Sequence, residues 1–195
     1  MSRFVYLDHS ATTPVDQRVI DAMMPFFAPD FGNPNSLHAW GRKARQAVDK
    51  ARNQVAQLIN AYPAEIIFTG GGSEADNLAI KGVAFAKKDK GRHIITSAIE
   101  HHAVLDTCNW LAKEGFDITV LPVDEYGMIR PDELERAIRP DTILVSIHFA
   151  NNEIGTIEPI EKIGNICRSH GVLFHSDAVQ AAGLIPIDVK NLPVD

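Results

Sequence analysis

Thr142-Ile143-Leu144-Val145-Ser146-Ile147 is a short run of β-branched and aliphatic residues, followed by the polar turn Asn151-Asn152-Glu153-Ile154-Gly155 and a helical pattern over residues 158–170. Gly171 stops that pattern, and a second apolar run, Val172-Leu173-Phe174-His175-Ser176, begins at once. Apolar runs of this length suit strands buried on both faces, and a helix between two of them is the crossover of a parallel sheet. The same alternation extends upstream, with strands predicted over residues 65–69, 93–96 and 117–121 and helices over 73–86, 102–114 and 131–138. The fold predicted is α/β, a mainly parallel sheet with helices on both faces.

Further upstream the pattern changes. Leu37, Trp40, Ala44, Ala47, Val48, Ala51, Val55, Leu58 and Ile59 recur at helical spacing and predict one long helix over residues 36–60. Lys43, Arg45, Lys50 and Arg52 fall off that stripe, on a solvated face. Asp8-His9-Ser10-Ala11-Thr12-Thr13-Pro14 and Phe31-Gly32-Asn33-Pro34-Asn35 read as loops, which on α/β scaffolds often carry binding groups. At the other end, Ile185-Pro186-Ile187-Asp188-Val189 and Leu192-Pro193-Val194-Asp195 read as the approach to a further strand, so the fold is expected to be incomplete at its C-terminus.

Composition narrows the function. With 195 residues, 45% apolar and 23% charged, the chain can bury a core of ordinary globular size. A net charge of −6 argues against nucleic acid as a partner, and no apolar run is long enough for a membrane span, so a cytoplasmic protein is expected. The two cysteines, Cys108 and Cys167, lie far apart among apolar neighbours and read as buried structural thiols.

Gly70-Gly71-Gly72-Ser73 stands between a predicted strand and a predicted helix. Glycines let the backbone approach an anion, and the first free amides of a helix supply donors at the positive end of its dipole. A phosphate site competes here with a plain turn in which Ser73 caps the helix. Gly70, Gly72 and Ala75 fit a loose dinucleotide fingerprint, but the acidic residue it requires is missing after Thr96-Ser97-Ala98, and no Gly-Lys-Ser/Thr follows for a kinase-type loop. Asp177 and Gln180 follow the last predicted strand, at the edge where such sheets bind ligands. Asp177 could pair with a protonated ring nitrogen or cap a following helix. Glu100-His101-His102 also follows a strand, and an imidazole there could stack on an aromatic cofactor and move protons. A metal assembled from His101, His148, His175 and Asp177 is not expected, because no ligand spacing recurs.

Taken in order, Tyr6-Leu7-Asp8-His9-Ser10-Ala11-Thr12-Thr13-Pro14, Phe31-Gly32-Asn33-Pro34, Phe68-Thr69-Gly70-Gly71-Gly72-Ser73-Glu74-Ala75-Asp76-Asn77, Glu100-His101, Asn151-Asn152-Glu153-Ile154-Gly155 and His175-Ser176-Asp177-Ala178-Val179-Gln180 resemble the motif series of the group I cysteine desulfurases. These are fold-type I, pyridoxal-phosphate enzymes of the aminotransferase class V superfamily. The resemblance implies that Gly72 and Ser73 cradle the cofactor phosphate and that His101 stacks on its ring and acts in proton transfer. It implies that Asp177 keeps the ring nitrogen protonated, and that Gln180 and Asn152 lie near the ring oxygen. It further implies removal of sulfur from L-cysteine with release of L-alanine, a homodimer, and an iron–sulfur scaffold or sulfur-carrier protein as acceptor of the persulfide. Selenocysteine lyases share this scaffold, and a non-catalytic dimerisation remnant or a nicotinamide-dependent oxidoreductase are the competing expectations.

On this resemblance residues 1–15 form a loop segment near the active site, and residues 16–195 form the N-terminal part of the large cofactor-binding domain. Ser73 stands where many relatives have Thr, and Phe149 where relatives often have His. The family's Schiff-base lysine, in a Ser-x-His-Lys segment, and its persulfide cysteine have no counterpart among these residues. Both are covalent participants, so this stretch alone is expected to be inactive.

Overall fold

The computed structural model describes residues 3–195; the first two residues of the predicted 1–15 segment lie outside it. The chain divides into two compact units, one up to Ile66 and the other from Ile67 to Asp195.

The first unit holds α1 (Gln17–Met23), a 3-10 turn (Met24–Phe27), α2 (Ala39–Leu58) and a second 3-10 turn (Pro63–Glu65). The sequence pattern shows no sign of α1, which is short and buries no residue; Asp16 starts it by accepting the Arg18 amide at 2.8 Å. α2 forms where the 36–60 pattern puts it, but its expected apolar stripe is largely bare. Gly41, Ala44 and Ala56 are buried, whereas Leu37, Trp40, Val55 and Leu58 are exposed. Gly41 has no room for a side chain, because a Cβ there would meet the Ser36 carbonyl. Both predicted loops, residues 8–14 and 31–35, are loops.

Residues 65–69, expected as a strand, are not one. Pro63–Glu65 turns as a 3-10 helix, and the Ile66 carbonyl accepts the Arg52 guanidinium rather than a strand amide. Ile67 and Phe68 are exposed, and no strand among the described residues pairs with this run. β-branched residues favour extension, but a ladder needs a neighbour.

The second unit contains α3 (Gly72–Lys87), β1 (His93–Ser97), α4 (His102–Lys113), β2 (Asp117–Leu121), α5 (Pro131–Ala137), β3 (Thr142–Ser146), α6 (Ile160–Ser169) and β4 (Leu173–His175). The sheet is parallel throughout, in the order β2-β1-β3-β4. Adjacent strand residues point to opposite faces. Ile94 and Leu144 therefore join one cluster with Ile80 and Ala84 of α3 and Val104, Cys108 and Leu111 of α4. Ile95, Val145 and Phe174 join the other, with Leu134 of α5 and Ile163 and Cys167 of α6. Helices cover both faces, as the apolar runs predict.

α6 ends as Gly171 foretells. Gly171 takes φ +67°, its amide bonds to the Arg168 carbonyl at 3.2 Å, and the Val172 amide reaches back to the Cys167 carbonyl at 3.0 Å. This pairing satisfies the last carbonyls and releases the chain into β4. Burial raises both thiols, Cys108 and Cys167, to about 12, so neither is reactive near neutrality. Ile163 has no exposed surface. Ile163→Val should therefore cost about 1 kcal/mol, read as a lower denaturant midpoint at unchanged slope. No helix among the described residues is long and apolar enough to cross a membrane.

Candidate active site

The strand order sets where a ligand can sit. From β1 the chain crosses to β2 on one side, and from β3 it crosses to β4 on the other. The switch point of the sheet therefore falls between the carboxyl ends of β1 and β3, and the crevice at such a point is the usual ligand site of an open α/β sheet.

Asp177 belongs to this edge. Beyond β3 and β4 the ladder continues, with the Ile147 amide on the His175 carbonyl at 3.1 Å and the Phe149 amide on the Asp177 carbonyl at 2.8 Å. Asp177 is thus pinned by its backbone and half-buried. Its Oδ1 accepts the Val179 amide at 3.0 Å, and the chain then makes a turn; the alternative of a helix cap is overturned. The second carboxylate oxygen stays available to another donor. Gln180 is exposed on that turn.

The glycine turn meets the same segment. α3 starts at Gly72 with Gly71 as its N-cap and no side-chain cap, so Ser73 lies inside the first turn and does not cap it. Its first amides therefore lack a side-chain acceptor, at the positive end of the helix. Glu74 reaches back to accept the Gly70 amide at 2.6 Å, which shows that the turn already holds one carboxylate. A Cβ on Gly72 would lie 3.0 Å from Val179 Cγ2, two residues past Asp177, and one on Gly71 would meet nothing within 4 Å. The turn is open on one side and close to the Asp177 segment on the other.

Asp76 was not singled out from the sequence, although it could have been. It heads the buried row Asp76, Ile80, Ala84, spaced four apart on α3, so a carboxylate occupies a core position. It faces His175 Nε2 at 3.6 Å, and His175 Nδ1 pairs with Ser146 Oγ at 2.9 Å. Burial first, and then the charge of Asp177, pushes the Asp76 carboxyl up to about 6; His101 opposes this. Burial likewise lowers His175 and His148, in each case against the pull of Asp177. One half-buried carboxylate is thus felt by groups from α3, β4 and the segment after β3.

His101 caps α4. Its Nδ1 accepts the Ala103 amide at 3.1 Å, so a neutral ring carries its proton on Nε2. The ring is exposed at the carboxyl end of β1. Asn152 is half-buried in the turn after β3, beside Asn151. Asn151 Nδ2 donates to the Ile99 carbonyl at 3.0 Å, and its Oδ1 accepts the Glu153 and Ile154 amides.

Among the described residues, no group of three His, Cys, Asp or Glu side chains could hold a metal ion. A cleft of about 440 Å³ opens at the opposite, amino edge of the sheet, lined by Lys87, Arg139, Thr142, His170 and Leu173. Lys87 stands at the C-terminal end of α3, where positive charge complements the helix dipole, so no ligand need be invoked there.

Comparison with known proteins agrees with this geometry. The chain is 57% identical over 194 residues to "Cysteine desulfurase IscS" of Methanosarcina thermophila, covering 100% of this chain and 48% of that protein. It is 56% identical over 191 residues to "Putative cysteine desulfurase IscS 1" of Bacillus subtilis, covering 98% and 50%. It spans about half the length of the curated relatives it matches. Among solved structures, "SspA in complex with cysteine" superposes with a TM-score of 0.94 at 45% identity, covering 97% of this chain and 55% of that one. A "NIFS-LIKE PROTEIN" gives 0.92 at 43% identity, covering 95% and 52%. The family model for aminotransferase class V matches residues 5–195, and this chain belongs to that family.

Proposed function

We propose that this chain supplies the N-terminal, cofactor-holding part of a cysteine desulfurase that binds pyridoxal 5′-phosphate and takes sulfur from L-cysteine. One observation carries the reading: the glycine turn at α3, which has no side-chain cap, lies against the segment that carries the half-buried Asp177 beyond the carboxyl end of β4. The first suits a phosphate, and the second suits a protonated aromatic nitrogen. Buried Ser176 Oγ, next to Asp177, has no partner, which also fits a polar group in the crevice.

Gly72 and Ser73 would hold the phosphate, Asp177 the ring nitrogen, and His101 the ring face, with Asn152 and Gln180 near the ring oxygen. When bound, pyridoxal phosphate supplies an electron sink for carbanion chemistry. The residues of this chain hold and orient the group: Asp177 keeps a proton at the ring nitrogen, and His101, whose Nδ1 accepts the Ala103 amide, presents its own proton at Nε2. In the overall reaction the Cβ–Sγ bond of cysteine breaks, a thiol of the enzyme gains the sulfur as a persulfide, and the carbon takes up a proton to become alanine. That thiol and a Schiff-base lysine would come from the part of the relatives' length that this chain does not span. A homodimer, a scaffold or carrier protein as sulfur acceptor, and a cytoplasmic location belong to the same reading.

The test uses the complete protein. Added pyridoxal phosphate should give an absorption band near the visible edge, and added L-cysteine should give alanine in step with persulfide. A protein that instead purifies with a nicotinamide dinucleotide, or that binds neither compound, would sink the reading. Greater turnover with selenocysteine than with cysteine would move it to the lyase branch.

A further inference from the structure

Glu100 is buried, with 6% of its surface exposed, and the proposed chemistry does not use it. Its Oε1 accepts Ser97 Oγ at 2.6 Å and the His148 amide at 3.0 Å. Ser97 ends β1, and His148 lies just past the end of β3. These are the strands whose chains diverge, since the Ala98 amide turns toward β2 and bonds to the Leu121 carbonyl. Glu100 therefore ties the carboxyl end of β1 to the segment just past β3. The next residue is His101.

The arrangement is costly. Glu100 Oε2, His148 Nε2 and Glu158 Oε1 are buried without hydrogen-bond partners, and the last two stand 3.9 Å apart, beyond bonding reach. A buried carboxyl with an orphaned oxygen weakens a fold compared with an apolar side chain of the same shape. Stability alone does not explain such a residue at this place.

We propose that Glu100 is a positioning residue acting through His101: by joining the carboxyl ends of β1 and β3 it fixes the backbone from which the imidazole projects into the site. The proposal rests on the cysteine desulfurase reading. Its charge state suits the task. Burial first, with Asp177 and Glu158 adding to it, pushes Glu100 up to about 8, against the bonds from Ser97 and His148. His148, facing it from the end of β3, is held neutral by burial. At pH 7 the carboxyl is therefore mostly neutral and adds little negative charge beside Asp177.

Two variants test this on the cofactor-loaded enzyme. E100A should lower kcat for alanine formation by ~10–100-fold with KM for cysteine and cofactor occupancy little changed, because the histidine is displaced and not removed. It should also alter the visible circular dichroism of the bound cofactor. E100Q keeps an acceptor at Oε1 and should restore both kcat and the dichroism. If E100A does not fold, S97A, which removes one donor to Oε1, carries the same test in milder form.

Stability provides a readout independent of turnover. The folded-state value of Glu100 lies above its ordinary 4.5, so its contribution is full below that value and is lost as pH rises toward about 8. E100Q cannot ionise and should show a shallower fall of Tm over that range. Parallel curves for wild type and E100Q, or loss of occupancy in E100A in proportion to kcat, would overturn the proposal. Absence of any cofactor band in the wild type would instead count against the parent reading and leave the stability comparison standing.

Discussion

Replacing Asp177 with Asn should lower alanine formation by about 10²–10³-fold while making the cofactor-free fold more stable. The first effect comes from charge. Asn keeps the acceptor that holds the Val179 amide, so the turn should survive, but a neutral amide no longer favours a proton on a ring nitrogen. The second comes from the neighbours. Asp177 raises Asp76, which means that its negative charge opposes ionisation there, whereas Glu100 is mostly neutral at pH 7 and feels little of that repulsion. Removing it relieves that repulsion, and a gain of about 1 kcal/mol would appear as a Tm rise of a few degrees. Opposite signs in activity and stability mark a group kept for chemistry at the expense of the fold. Steady-state alanine assays and thermal melts of the cofactor-free protein check both. Near-normal turnover in Asp177→Asn would refute the assigned role, and a lowered Tm would show that Asp177 is a structural group.

His101→Ala should lose about 10²-fold in turnover, but with two separable causes. The imidazole caps α4 through the Ala103 amide, and loss of an N-cap costs about 1 kcal/mol. Part of the damage in the alanine variant would therefore be structural. His101→Asn separates the two, because Asn is among the best capping residues yet cannot move a proton near neutrality. It should recover the Tm of the wild type and leave turnover as low as in the alanine variant. Cofactor occupancy, measured from the absorption band, should fall less than turnover in both. Recovery of turnover along with stability in His101→Asn would make His101 a cap and nothing more.

Much of this site was legible before any fold was known. The glycine turn, His101 and Asp177 each follow a local change of pattern, and each stands at a carboxyl edge of the sheet or at the start of the helix beside it. What the pattern left open were local roles with two local solutions. Ser73 and Asp177 both have the chemistry of helix caps; the chain uses Gly71 ahead of α3 and forms no helix after Asp177. Residues 65–69 have strand composition but no ladder. Asp76 was the readable omission, since its four-residue spacing from Ile80 and Ala84 marks it as a core position. Glu100, His148 and Glu158 had no such sign. They are far apart in the chain, and only parallel packing of β1 against β3 brings them into one buried cluster.

Sequence alone determined the elements of the second unit, because hydrophobic period, glycine stops and strand composition are properties of neighbouring residues. It determined the family as well, because the order of motifs along the chain is itself a sequence property. Strand order, and with it the crevice between β1 and β3, was decided by tertiary structure. So was the charge state of each buried carboxyl, since desolvation depends on what lies across space from a group and not on what lies beside it in the chain.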